Sequence, residues 1–358
     1  LPAVAVLPGH ALLPVIKAVE GANAAVLSLP GAYAVVTRPG LAAVFLYGAS
    51  VGLLFPLLYD PLHRKRNAVL VGLLVLASLV AWNISWKRPG VDVLDVGTGD
   101  AIFVRTPGGT TLLVDGGDTS QYTDAGARVV APFLHANRIK ALDFVLVSHP
   151  DRDHIGGLFT VLKQFRIGTV LLGPEAKAPV PLETEFIAQC HHHGIPVKRL
   201  EQGDRIPMKG AEIQVLHPSR DWAARHTGNN NSVVLHLSWP GLSLLLPGDV
   251  EEEAETELLP HLAQPASILK APHHGSPTSS SEAFLEKVNP TFAVASMQAA
   301  GARQALMTPA MVRRYADHGI TLFRTDWHGG VRIQPTRSGL HVRTARGMRG
   351  YCLKPVSL

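Results

Sequence analysis

Apolar residues occur along this chain in two textures. Between 41 and 59 (LAAVFLYGASVGLLFPLLY) and between 68 and 86 (AVLVGLLVLASLVAWNISW) they run on without a charged residue. At 1.5 Å rise per residue each run makes a helix of about 28 Å, close to the ~30 Å of a bilayer's hydrocarbon core. The pattern predicts a transmembrane helical hairpin, as against a hairpin buried inside a soluble domain. The connecting DPLHRKRN gathers Arg64, Lys65 and Arg66, and Trp82 and Trp86 close the second run where an aromatic belt belongs. The positive-inside rule puts that turn in the cytoplasm and everything after 87 outside, with Lys87 and Arg88 pulling the other way. Residues 1–40 are apolar and interrupted by Pro8, Pro14, Pro30 and Pro39. They fit a membrane-surface helix, an incomplete span, or packing against helices upstream, since a chain starting at Leu1 is expected to be part of a longer one.

After the turn-forming pair Pro89-Gly90 the apolar runs shorten to strand length. VDVLDVGTGD, AIFVRTPGG and TTLLVDGG predict three strands in an antiparallel meander. Later strand-like runs alternate with helical stretches, an α/β pattern. Three runs end in chemistry. LDFVLVS (142–148) ends at His149-Pro150-Asp151-Arg152-Asp153-His154, LSLLLPG (242–248) at Asp249, and ASILKAP (266–272) at His273-His274-Gly275-Ser276. Strand ends of layered α/β folds converge on one crevice, so residues ~100 apart in sequence can meet there.

Composition narrows that chemistry. Hydrophobic residues at 46% and charged residues at 17% exclude a disordered chain. Lys plus Arg (33) against Asp plus Glu (28) gives +5, which permits an anionic partner without requiring one. With only Cys190 and Cys352, a disulfide framework and a cysteine-cluster metal site are both excluded, whereas 17 histidines stand out. Imidazoles and carboxylates without thiolates suit Zn²⁺ or Mn²⁺. The H-x-D-x-D-H spacing presents ligands in two directions from one loop, as a two-metal site requires, and Asp249 could bridge the ions. Taken alone, the same loop also reads as a solvated turn whose aspartates cap the following helix.

At these residues the chain resembles the metallo-β-lactamase superfamily and, within it, the C-terminal part of the ComEC-type DNA-internalisation proteins of bacterial competence. The resemblance is carried by LDVGTGDA (94–101), LLVDGG (112–117), SHPDRDHIGG (148–157), VLHP (215–218), NNNSVVL (229–235), LLPGD (245–249), KAPHHGSPTSSSEAFL (270–285) and FRTDWHGGVRI (323–333). It implies an αββα sandwich over 89–336, between a membrane region (1–88) and a basic tail (337–358). By the same resemblance His149 and Asp151 hold one divalent ion (Zn or Mn), Asp153 and His154 the other, and Asp249 bridges them. His274, with His273 close behind, completes the second site, and Asp153 and Asp249 are the catalytic carboxylates. Asp115 is a supporting carboxylate, Asp95 and Asp100 fix loops, and Asn230, Asn231 and Ser276 lie near substrate. Asp151, for the second histidine of H-x-H-x-D-H, and Asn229–Asn231, for the histidine before the strand leading to Asp249, depart from the general superfamily pattern but look like features of the ComEC branch, whereas Thr98 for a glutamine and Met307-Thr308-Pro309 for a GHP-like triplet depart from that branch.

The function so implied is DNA uptake in natural transformation. An extracytoplasmic nuclease on a multi-pass protein of the inner membrane would degrade the strand that is not imported. Its partners would be DNA, other competence components and a channel region preceding Leu1. Two alternatives stand beside it: a membrane-anchored hydrolase of a small ester, lactone or thioester, and a catalytically silent DNA-guiding domain. Among other candidates, His191-His192-His193 reads as a solvated helix end, and His217 as a loop histidine or a ligand. Ser279–Ser281 read as an N-cap cluster or phosphate donors. The basic tail (Arg337, Arg343, Arg346, Arg349, Lys354) reads as solvated charge or a nucleic-acid track, and no aromatic pattern accompanies it.

Overall fold

The computed structural model of the protein describes residues 17, 20–22, 41–84, 88–97, 99–298, 307–346 and 351–353. The chain divides into two units, Leu1–Arg38 and Pro39–Leu358. The expectations for residues 1–40, Thr98, Trp86, Lys87, Arg349 and Lys354 fall at or beyond the edge of the described residues.

The second unit begins with helices Leu41–Gly52, Leu54–Tyr59 and Arg64–Ile84. The first run is interrupted at Leu53 because Pro56, lacking an N–H, has nothing to donate to the Gly52 carbonyl. The two arms pack through small groups: Ala43 is buried, and the Ser78 hydroxyl donates to its carbonyl at 2.9 Å. Large apolar side chains on both arms face outward, Phe45 at 75% and Leu73 at 57% exposure. Leu41–Tyr59 is long and apolar enough to cross a membrane, with mean hydropathy 2.1; it alone qualifies among the described residues. The other arm carries Arg64, Lys65 and Arg66 in its first turn.

The rest is a four-layer α/β structure around two mixed sheets. Strands β1 (Gly90–Val93), β2 (Ile102–Arg105) and β3 (Thr111–Val114) form the expected antiparallel meander. They continue in parallel through β4 (Ala141–Leu146), β5 (Arg166–Leu172) and β6 (Val197–Arg199). The second sheet comprises β7 (Glu212–His217), β8 (Val234–Trp239), β9 (Leu242–Leu246), β10 (Ile268–Lys270), β11 (Phe292–Ala295) and β12 (Thr321–Arg324). Then β13 (Val331–Thr336), β14 (Gly339–Thr344) and β15 (Tyr351–Leu353) return to the first sheet, giving the order β15-β14-β13-β1-β2-β3-β4-β5-β6.

The side-chain alternation of a strand explains the layers. In β3, Leu112 and Val114 enter the core between the sheets, while Leu113 faces the other way, toward Leu134, Leu158 and Phe186 of the covering helices. In β9, Leu244 and Leu246 face inward and Leu245 outward, toward Leu258, Phe284 and Tyr315. A strand apolar on both faces is what burial between two layers demands, and it is why these runs read as continuous rather than alternating.

Two glycine turns lock this frame where the polar loops emerge. The Gly116 N–H donates to the His154 carbonyl at 2.7 Å, and the Gly157 N–H donates to the Gly117 carbonyl at 2.9 Å. A Cβ on Gly157 would run into the Gly116 carbonyl oxygen and stand 2.7 Å from the Gly126 amide nitrogen. Gly157→Ala must therefore push these backbones away from one another, and we expect a loss of about 1–3 kcal/mol, read as a lower urea midpoint in detergent. An unchanged midpoint would mean that this crossing is loose.

Candidate metal centre

The three strands expected to end in polar loops do so on one side of the sandwich. His149, Asp151, Asp153 and His154 follow β4, with Asp153 and His154 in the short helix Arg152–Ile155. Asp249 follows β9, and His273 and His274 follow β10 in the turn Pro272–Gly275. Asp115, the residue after β3, and Asp100, before β2, complete the set.

Asp249 lies at the middle of it. Its Oδ2 is 3.2 Å from His154 Nε2 and 3.2 Å from His274 Nε2. Asp153 Oδ2 is 3.7 Å from His274 Nε2 and 4.0 Å from His154 Nε2. The His149 ring centroid is 4.1 Å from that of His154, and His149 Nε2 is 3.7 Å from Asp151 Oδ2. Donor atoms of His149, His154 and Asp249, and again of Asp153, His154 and His274, lie within 4.8 Å of one another. The inner groups are shut off from water, while Asp151 and Asp153 face its edge at 52% and 29% side-chain exposure.

Each histidine is oriented by its far nitrogen. His154 Nδ1 donates to Asp115 Oδ2 at 2.8 Å, which turns Nε2 toward Asp249. The Ser148 hydroxyl donates to the same carboxylate at 2.6 Å, leaving its oxygen to accept from His149 Nδ1 at 3.1 Å. His274 Nδ1 is 3.6 Å from Asp100 Oδ1, and Asp100 Oδ2 is held at 2.8 Å by the buried ammonium of Lys270. The Asp115–His154 bond sets that ring's tautomer and leaves its Nε2 as a lone-pair donor, whereas Asp100 faces His274 as an ion pair, with His274 Nδ1 and Asp100 Oδ1 making no hydrogen bond. His149 Nε2, His154 Nε2, His274 Nε2 and Asp249 Oδ1 are buried and without a hydrogen-bond partner. Buried polar atoms are rarely left so, and these belong to overlapping donor groups that divalent cations would satisfy. The donor set, imidazole and carboxylate, fits such an ion.

Electrostatics follow from this packing. Burial opposes the charge on Asp249, but His274 and His154 outweigh it and hold the carboxyl well below its usual range. Burial likewise opposes protonation of His154 and His274. Asp249 and Asp115 nevertheless raise His154 well above its ordinary value, and Asp249 and Asp100 raise His274 to about 9. His149, with burial and the neighbouring His154 against it, is pushed down to about 4 and stays neutral. Burial also raises Asp151. The backbone is strained here too: Asp115, His273 and His274 have φ of 60°, 46° and 55°, a region costly for residues with a Cβ and concentrated at functional sites.

The other expected residues lie around this centre. The His273 ring turns to Glu251, 3.3 Å from its Oε1, and to Asn229, at 3.4 Å. Asn230 accepts the Glu251 N–H at 2.9 Å, and the Asn231 amide donates to the His226 carbonyl at 2.7 Å. Ser276 is buried 3.0 Å from the Thr278 hydroxyl, and Asp95 pairs with Arg346 at 3.2 Å. His217 is buried, pushed down to about 4 by that burial, and its Nε2 donates to the Asn230 carbonyl at 2.9 Å, so it is a satisfied loop histidine. Ser281 caps the helix Glu282–Val288, while Ser279 and Ser280 bond Val250 and Tyr315. His191–His193 end the exposed face of the helix Pro181–His192. Met307, where a histidine-bearing triplet was expected, is buried against Gly275. Lys270 was missed from the sequence. Its signal was a lysine inside an apolar strand, a charge that burial tolerates only when paired.

Residues 94–298 match the Metallo-beta-lactamase superfamily. The chain is 30% identical over 261 residues to ComE operon protein 3 of Bacillus subtilis (strain 168), covering 68% of this chain and 33% of that protein. It is 31% identical over 286 residues to Competence protein ComA of Neisseria gonorrhoeae, covering 78% and 38%. The chain thus spans about a third of the length of these curated relatives. Among solved structures it is similar to CmlA, a diiron beta-hydroxylase from Streptomyces venezuelae, with TM-score 0.48 and 15% identity, covering 75% of this chain and 59% of that one.

Two outcomes follow from the charges. A cation must displace protons from His154 and His274, so its apparent affinity should fall as pH drops below about 9, by about tenfold per unit for each proton displaced. Titration calorimetry with Mn²⁺ or Zn²⁺ checks the slope, and a flat profile would exclude these histidines as ligands. Lys270→Met strands the Asp100 carboxylate and should cost about 3–5 kcal/mol in denaturant unfolding, most of it recovered by adding Asp100→Leu. No loss in the single variant would show that Asp100 is neutral or hydrated.

Proposed function

Because the chain belongs to the metallo-beta-lactamase superfamily and is of the ComEC competence type, we propose that it is the metal-dependent nuclease portion of a DNA-uptake protein, degrading the strand that is not imported. The observation that carries this reading is the convergence of His149, His154, His274 and Asp249, with their inner donor atoms buried and unpartnered. In this reading His149, Asp151 and Asp249 hold one divalent cation, and Asp153, His154 and His274, with Asp249 between, hold the second. When bound, the ions supply Lewis acidity toward a phosphate oxygen and lower the pKa of water.

The protein's own groups do the rest. Asp115 keeps the His154 proton on Nδ1, Asp100 puts a negative charge 3.6 Å from His274 Nδ1, and Lys270 keeps Asp100 charged. Asp153, at the solvent edge, is the carboxylate placed to take a proton from an attacking water. In this reading Leu41–Tyr59, which is long and apolar enough to cross a membrane, and the apolar run 68–86 after it anchor the hydrolase on the outer side of the inner membrane. The upstream channel region and other competence components are its partners in this reading.

A second reading has one observation of its own. Thr308, at the place where the resemblance implies the histidine of a GHP-like triplet, is spent on capping the helix Pro309–Asp317, its hydroxyl accepting the Met311 N–H at 3.3 Å. It favours a domain that guides DNA without cutting it. Purified protein should cleave single- or double-stranded DNA only when Mn²⁺ or Zn²⁺ is restored after chelation, and a His149→Ala, Asp153→Ala variant should lose at least about 100-fold of that rate. Metal binding without DNA cleavage would move the assignment to small esters, and neither binding nor cleavage to the guiding role.

A further inference from the structure

Outside the helical hairpin (41–84, its turn included), the described residues leave two large apolar side chains mostly in water: Tyr122 at 83% and Trp327 at 61% exposure. Both stand on short, braced loops tied to the metal centre. Tyr122 tops the loop Asp118–Asp124, which closes on itself where the Ala125 N–H meets the Asp118 carbonyl at 2.9 Å and Ser120 accepts the Tyr122 and Thr123 N–H groups. The base of this loop is fixed to the ligand loops. The Gly117 N–H donates to the Asp100 carbonyl at 2.8 Å, and Arg152, beside Asp153, pairs with Asp118 at 3.0 Å.

Trp327 is built in a similar way on the other side. It sits in the turn Thr325–His328, and the Arg324 guanidinium lies 3.8 Å from its ring centroid. Asp326 holds that guanidinium with two bonds, at 3.1 and 2.7 Å, so one face of the indole is backed by a fixed cation. Arg346 ties the turn to Asp95, 3.2 Å away, on the segment that leads to Asp100. An aromatic ring left in water costs free energy unless something covers it, and a braced ring offers its face with little entropy left to lose.

We propose that Tyr122 and Trp327 are stacking platforms for the bases of a single DNA strand entering the metal centre. This rests on the nucleic-acid reading above and names the form of DNA that the site takes. Bases in a duplex have their faces covered by neighbours, whereas a single strand can lay them on aromatic rings, largely without regard to sequence. Arg152, paired with Asp118 at the base of the Tyr122 loop, and Arg346, paired with Asp95, are both largely exposed and put positive charge near the two loops.

The test is binding of labelled oligo(dT), and of an abasic oligomer of equal length, to the purified full chain in detergent, with chelator and again with Mn²⁺. Tyr122→Ala and Trp327→Ala should each weaken oligo(dT) binding by about 5- to 150-fold and leave abasic binding unchanged. Tyr122→Phe and Trp327→Phe should keep most of the affinity, and oligo(dT) but not the abasic strand should quench the Trp327 emission. Base-dependent binding lost in the alanine variants upholds the proposal even if nothing is cut, in which case the nuclease reading falls alone. Unchanged oligo(dT) affinity, or equal losses for both oligomers, overturns it even if DNA is cleaved, and would leave the rings to a protein partner.

Discussion

A carboxylate removed from water must be matched by positive charge close by, and Asp249 imposes that condition on everything around it. At 3% exposure it faces two imidazoles 3.2 Å away, and neither can point elsewhere without leaving it alone. Each imidazole then needs an acceptor for its outer N–H. Asp115 accepts from His154, Asp100 faces His274 as an ion pair at 3.6 Å, and Asp100 in turn requires the buried Lys270. The chain of requirements runs from one oxygen through three shells of alternating charge. Such an assembly is worth little as a source of stability, because the desolvation it incurs offsets most of the attraction. Its value is positional: it holds the inner donor atoms of overlapping groups in place.

The sandwich meets this demand with strand ends. A parallel strand buried on both faces is rigid, so the loop leaving its end starts from a fixed point. Here β3, β4, β9 and β10 each release one loop at the same side. The glycines that follow, in DGG and HIGG, let those loops touch backbone to backbone, closer than any side chain would permit. Strain at Asp115, His273 and His274 is tolerated because packing on both sides over-determines those residues. Stiff strands, close loops and a charged centre are one mechanical system.

The rim differs in physical character from the centre. Inside, charged groups face one another away from water; outside, Asp151, Asp153, Tyr122 and Trp327 meet it. That division suits a long polymeric substrate, which reaches a buried reactive point with one bond while its neighbours are held at the edge.

Much of this was legible in the sequence, because it depended on local order. The short runs from Gly90 onward fixed strand positions, and three of them ended in His or Asp at the residues that later met; the H-x-D-x-D-H loop needed no tertiary knowledge to be recognised. Apolar length alone marked 41–59, whereas the break at Leu53 and the three cations drawn into the helix Arg64–Ile84 followed from Pro56 and from helix boundaries that hydropathy does not register. What only the tertiary structure decided was pairing across long separations. Lys270 and Asp100 are 170 apart in sequence, and their 2.8 Å contact arises from where β10 ends relative to the loop before β2. His217 and His274 look alike on paper; one bonds a carbonyl and the other turns inward, a choice made by the loops each faces. Tyr122 and Trp327 formed no pattern along the chain, since exposure depends on which atoms cover a ring, and that is settled only when the layers are packed.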